Sequence, residues 1–132
     1  MPLTPDFNDR RRRILVRGTG VIRFDEVVAL LSTARADVEH RMWPMLVDAA
    51  GATTDITESD VDRLAELVRK AVQTQGMRGL VAIAASDDTL YARMLSYETK
   101  CAAHGINVIR IFRQADDAGR WLDIVGAARN YL

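Results

Sequence analysis

Leu80-Val81-Ala82-Ile83-Ala84-Ala85 is a run of six apolar residues with no polar residue interleaved. A strand with one wet face alternates, so a run without alternation predicts a central strand covered on both faces, as in a parallel sheet packed between helices. The flanking sequence agrees. Upstream, Val61, Leu64, Ala65, Val68 and Val72 recur at helical spacing, and Gly76 follows as a stop. Downstream, Ser86 or Asp87 stands at the N-cap position of a helix with the stripe Leu90, Met94, Tyr97 and Cys101, closed by His104-Gly105. Apolar runs alternating with amphipathic stretches are the pattern of βα units.

The same reading extends in both directions. Met45-Leu46-Val47, after Pro44, is a buried strand, and residues 106–112 form the last one. A first helix begins near Phe24, with Asp25 and Glu26 in its first turn and Phe24, Val27, Val28 and Leu31 as its apolar face. The second helix begins at Thr57, where Thr57-Glu58-Ser59-Asp60 reads as a capping box with Asp in place of Glu. A final helix carries Ala118, Trp121, Leu122 and Val125. At the N-terminus, residues 3–7 and 11–17 predict a hairpin through Asn8-Asp9, its arginines guarding the sheet edge and Gly18 and Gly20 ending the second strand. The expected fold is α/β: a mixed five-stranded sheet with an N-terminal antiparallel hairpin, followed by βα units, with four main helices and one domain over residues 1–132.

Composition excludes several classes of function. Eighteen Lys and Arg balance eighteen Asp and Glu, so no net field draws the chain to nucleic acid or to an anionic surface. Arg10-Arg11-Arg12-Arg13 and Arg17 are read as a solvated edge hairpin. Cys101 is the single cysteine, which rules out an internal disulfide and suits a reducing compartment. The opening Met1-Pro2-Leu3-Thr4-Pro5-Asp6 has no basic start or apolar core, so no signal peptide is expected. No apolar run approaches the length of a membrane span. A cytoplasmic location is expected.

Three stretches carry a family likeness: Leu46-Val47-Asp48-Ala49-Ala50-Gly51, Ala82-Ile83-Ala84-Ala85-Ser86-Asp87-Asp88, and Phe112-Arg113-Gln114 with Trp121-Leu122. With the order of elements they resemble the SpoIIAA-like proteins, which belong with the STAS and SEC14-like domains. The likeness runs from about residue 7 to residue 122. It implies a STAS-like domain, and for the best understood members an anti-sigma-factor antagonist switched by phosphorylation in an Asp-Ser-Ser-Gly motif. By element order Thr57 falls on that phosphoacceptor position, with Ile56 in place of the aspartate and no glycine after it.

Candidate site residues cluster at the ends of the parallel strands, where open α/β sheets bind ligands. They are Asp48, Asp55 and Thr57 after one strand and Ser86 and Asp87 after the next; Tyr91, Met94 and Tyr97 follow on the third helix. Asp48, Asp55 and Asp87 would suit a divalent cation or acid–base work if they converged. No histidine, lysine or cysteine accompanies them, and no catalytic set, metal site or cofactor is expected. His40 and His104 show no metal-ligand spacing. Tyr91, Met94, Leu95, Tyr97 and Glu98 spread over more than one face of the third helix. If exposed, that surface marks a protein partner or a homodimer. If turned inward, it lines a cavity for a small apolar ligand or lipid, as SEC14-like kinship allows. The leading expectation is a non-catalytic STAS-like module acting through protein–protein contact on the side of the second and third helices; the alternative is a carrier or sensor of a small apolar ligand.

Overall fold

The computed structural model describes residues 3–76 and 79–129; Met1 and Pro2 of the N-terminal stretch read above lie outside the described residues. In chain order the elements are β1 (Leu3–Asn8), β2 (Arg13–Ile22), α1 (Phe24–Ala34), a short 3₁₀ segment (Val38–Met42), β3 (Met45–Thr54), α2 (Glu58–Gln75), β4 (Val81–Ala84), α3 (Asp88–Ala103), β5 (Ile109–Phe112) and α4 (Ala115–Arg129). The five strands form one sheet in sequential order. β1 and β2 are antiparallel, and β2 through β5 are parallel.

Sequential order has a direct consequence. Connections between neighbouring parallel strands follow a right-handed rule, under which successive connections in a sequential sheet place their helices on the same face. Accordingly α1, α2 and α3 share one core with the inward residues of all five strands, among them Leu3, Ile14, Val16, Met45, Val47, Ile83 and Ile109. α4 alone returns to the opposite face, where Ala118 and Leu122 pack on Leu80, Ala82 and Ala84. β4 is thus covered on both sides, as its unbroken apolar run predicts.

Two strands run longer than the sequence suggests. Gly18 and Gly20 do not end β2, which continues to Ile22 while β3 continues beside it to Thr54. The register steps from Arg17↔Asp48 to Thr19↔Gly51, a bulge with the extra residue on β3. Asp48 Oδ1 accepts from the Ala50 N–H at 3.2 Å inside it. A side chain at Gly18 would meet Leu3, Ile22 and Ala49 at 3.1–3.4 Å, so close packing accounts for this glycine. β5 is shorter than expected, beginning at Ile109.

Helix boundaries follow local chemistry. Thr57 caps α2: its Oγ1 accepts from Asp60 N–H at 3.1 Å, and Asp60 Oδ2 accepts from Thr57 N–H at 3.0 Å. Gly76 closes the helix in the left-handed conformation. Asp87, not Ser86, caps α3 by accepting from Leu90 N–H at 3.0 Å. The expected face of α1 is rotated: Leu30 and Ala34 are its buried residues, while Phe24, Val27, Val28 and Leu31 are half-buried around them. None of the helices among the described residues is long and apolar enough to cross a membrane.

Candidate functional site

The strand-end residues do not converge. Asp48 is half-buried at the bulge and engaged there, Asp55 is exposed and 3.6 Å from Arg23, and Asp87 is occupied as a helix cap. Among the described residues no group of three His, Cys, Asp or Glu is placed to hold a metal ion. Thr57 is exposed at its cap. Ser86 and Tyr91 meet Arg113, a residue of the family-likeness stretches but not among the candidate site residues. Its Nη1 donates to Ser86 O at 3.0 Å and Asp88 Oδ1 at 2.7 Å, and its guanidinium lies 3.9 Å from the Tyr91 ring centroid. Ser86 Oγ donates back to Arg113 O at 3.1 Å. These bonds tie the end of β5 to the start of α3 and occupy each group.

The surface of α3 is decided by burial. Met94 and Tyr97 belong to the core, Tyr91 is half-buried, and Leu95 is 39% exposed. Where α3 meets α2 the outer surface is polar: Glu58 accepts from Arg93 at 3.2 Å, Ser96 at 2.8 Å and Lys100 at 3.1 Å. The Ser96 hydroxyl, then Lys100, hold the Glu58 carboxyl below the usual range. The Lys100 ammonium is raised by its bond to Asp62 and, less, to Glu58.

Met94 and Tyr97 point instead toward an apolar cavity of ≈ 120 Å³ between the inner face of the sheet and the three helices. α1 lines it with Leu30 and Ala34, α2 with Leu64 and Val68, and the strands with Met45, Val47 and Ile83. Among the described lining residues two side chains are polar, Arg35 and Tyr97. Burial pushes the Tyr97 hydroxyl well above its ordinary range, reinforced by the neighbouring Cys101 thiol. Burial likewise lifts that thiol to about 11, against a hydrogen bond with Tyr97 that lowers it. Cys101 therefore stays a protonated, enclosed group at neutral pH.

Arg35 went unnoticed in the sequence because a lone arginine after an apolar helix reads as a surface residue. It is 6% exposed. Its Nη1 donates to three main-chain carbonyls, His40 at 2.8 Å, Arg41 at 3.0 Å and Trp43 at 2.9 Å, and so holds the 3₁₀ segment against α1. Nη2 is buried without a hydrogen-bond partner. Burial lowers the guanidinium to about 10, with Tyr97 opposing, so it remains charged at neutral pH. Gly79 makes room for it: a side chain there would press into the Trp43 carbonyl and stand 2.6 Å from Nη1.

A groove of ≈ 760 Å³ is lined by Arg11, Arg12, Arg13, Met42, Trp43 and residues of α4. Asp123 of α4 takes Arg13 at 2.6 Å and Arg11 at 3.6 Å, so part of the basic run pins the hairpin to that helix. His40 stacks on Phe7 at 4.3 Å and packs on Trp43 at 4.5 Å between ring centroids, so it is held among aromatic rings.

Compared with protein-family models, curated proteins and solved structures, the chain finds no significant match in any of the three.

Proposed function

We propose that the protein is a non-catalytic STAS-like domain that binds a small apolar molecule in the cavity beneath α1, α2 and α3, as a carrier or sensor. The observation that supports this reading is the apolar cavity itself, which Met94 and Tyr97 line together with residues of α1, α2 and the sheet. The element order behind the resemblance to SpoIIAA-like and SEC14-like domains is the observed order, and SEC14-like kinship is compatible with an apolar ligand. Apolar cavities of about 150 Å³ stay dry and take up benzene-sized molecules, so the volume here suits a ligand about as large as one small ring or a short branched chain. A lipid with long acyl chains would not fit. Contact with a protein partner through α2 and α3 has less support, because ion pairs dominate that face and Leu67 and Leu95 are its exposed large apolar residues.

The test is titration with toluene, followed by methyl NMR. Saturable shifts at Met45, Val47, Leu64 and Met94, abolished when Val68→Phe fills the space, are expected. Shifts confined to surface methyls, or unchanged in the filled variant, would refute the cavity reading.

A further inference from the structure

In sequence the arginine run reads as the solvated edge of a hairpin, yet Arg11, Arg12 and Arg13 line the ≈ 760 Å³ groove together with residues of α4. Its buried members, Trp43, Leu80 and Leu122, make an apolar floor, and its exposed ones, among them Arg11, Arg12, Met42 and Ala127, make the rim. The three arginines are not equivalent. Arg13 is spent on Asp123 at 2.6 Å, whereas Arg11 approaches the same carboxylate only at 3.6 Å. The Arg12 guanidinium forms no hydrogen bond or ion pair among the described residues. Its backbone φ of 51° lies in the left-handed region, where Gly, Asn or Asp is the usual occupant of a turn. An arginine kept there supplies the groove with a free cation at the expense of backbone strain. Space and apolar surface stand beside it: a side chain at Gly126 would meet nothing within 4 Å, and Met42 is 54% exposed.

We infer that this groove docks a short peptide segment of a partner protein, one that presents a single carboxylate beside a bulky apolar side chain. The apolar side chain covers Leu80 and Leu122 next to Met42, and the carboxylate pairs with Arg12, with Arg11 close by. Charge sets the number of carboxylates. Glu39 and Asp123 also line the groove, so its guanidiniums exceed its carboxylates by one. A nucleic acid or another polyanion would meet those two carboxylates at close range and be repelled. Shape sets the class of ligand. Small-molecule sites bury most of their ligand, whereas a groove with so exposed a rim covers one side of its occupant. A peptide segment held at both ends by its own protein needs no more. No residue lines both this groove and the cavity beneath α1, α2 and α3, so the inference does not rest on what that cavity holds.

A random heptapeptide library displayed on phage is panned against the full chain, and enriched peptides are measured by calorimetry. The enriched sequences are expected to pair Asp or Glu with a neighbouring Leu, Phe or Trp. Replacing the acidic residue by its amide should weaken binding about threefold to fivefold, the factor an exposed ion pair supplies. Arg12→Asn removes the guanidinium while keeping a residue that tolerates left-handed φ. It should weaken binding by the same factor and erase the difference between acid and amide. Gly126→Trp fills the groove and should abolish binding. Should that variant fail to fold, the acid–amide comparison with Arg12→Asn decides alone. No enriched peptide, enriched peptides without an acidic residue, or affinity unaffected by both variants would overturn the inference. So would binding to phosphatidylserine vesicles that Arg12→Asn abolishes while no peptide is enriched, which would assign the arginines to a membrane surface instead.

Discussion

Gly79→Ala tests whether Arg35 is held as rigidly as its surroundings imply. A methyl group at residue 79 would press into the Trp43 carbonyl and stand 2.6 Å and 2.9 Å from Arg35 Nη1 and Nη2. Neither neighbour can withdraw cheaply. The Trp43 carbonyl precedes Pro44 at the entry to β3, and it accepts from Arg35 at 2.9 Å. Forcing a methyl into a packed interior costs about 1–3 kcal/mol. Moving the guanidinium enough to relieve the clash would break at least one of its three carbonyl bonds, and bonds from a charged donor contribute about 1.5–3 kcal/mol each. Together these give a loss of about 3–5 kcal/mol. At roughly 3–5 °C per kcal/mol for a domain of this size, Tm should fall by roughly 10–20 °C. Urea unfolding monitored by far-ultraviolet circular dichroism measures the loss, with an unchanged m value showing that the same surface is exposed. Gly51→Ala is the control, because nothing lies within 4 Å of a side chain there, and it should change stability by no more than about 0.5 kcal/mol. A Gly79→Ala loss below about 1 kcal/mol would mean that Arg35 moves aside freely. The reading of Arg35 as a fixed link between α1 and the 3₁₀ segment would then be wrong.

Thr57→Ala should cost about 1 kcal/mol and Thr57→Ser a few tenths at most, measured by urea unfolding, because the hydroxyl acts as a cap. Toluene affinity should be the same in both variants, since Thr57 lies off the cavity lining. The folded-state thiol of Cys101 is raised from its ordinary value of 9.0 to about 11, so folding favours the protonated form. The resulting stability is present below pH 9 and lost as pH rises toward 11, by up to about 3 kcal/mol. Burial of Tyr97 acts in the same direction at higher pH. Urea midpoints across that range should decline, and Cys101→Ala should remove the part that begins near pH 9. Asp48→Ala should cost about 0.5–1.5 kcal/mol by releasing the Ala50 N–H in the bulge. Mg²⁺ should leave the Tm of the wild type unchanged, because Asp48, Asp55 and Asp87 are engaged separately.

The features legible in the sequence are those fixed within a few residues of chain. Thr57 with Asp60, Asp87 ahead of Leu90, and the stripe Leu90, Met94, Tyr97 and Cys101 each depend on one helical turn or one helix face. The covering of β4 on both faces followed from a similar local fact, the unbroken run around Ile83. What was misread depends on neighbours distant in sequence. Gly18 looks like a breaker until Leu3 and Ala49 are seen against it, and β2 continues because β3 offers it a partner as far as Thr54. The candidate site divides in the same way. Tyr97 was identifiable as buried, but whether it would line a cavity depends on three helices packing together. Arg35 had no local signal, since its partners are carbonyls five to eight residues further along a segment with little amphipathic pattern.

The cavity itself can be traced to where the bulky side chains went. The chain has three Phe and two Trp, and none of them lines it. Phe7 and Trp43 pack around His40 near the hairpin. Phe112 and Trp121 pair on the α4 face at 5.9 Å between centroids, and Phe24 lies beneath the Arg63 guanidinium at 4.3 Å. The space enclosed by three helices on one face of the sheet is left mainly to Val, Leu, Ile and Ala, with Met45 and Met94 among them. An unfilled volume costs on the order of 24 cal/mol per Å³, so ≈ 120 Å³ corresponds to about 3 kcal/mol. A single Val-to-Phe exchange would remove much of it. The cavity is thus a cost to stability, and a small apolar molecule of matching size would relieve it.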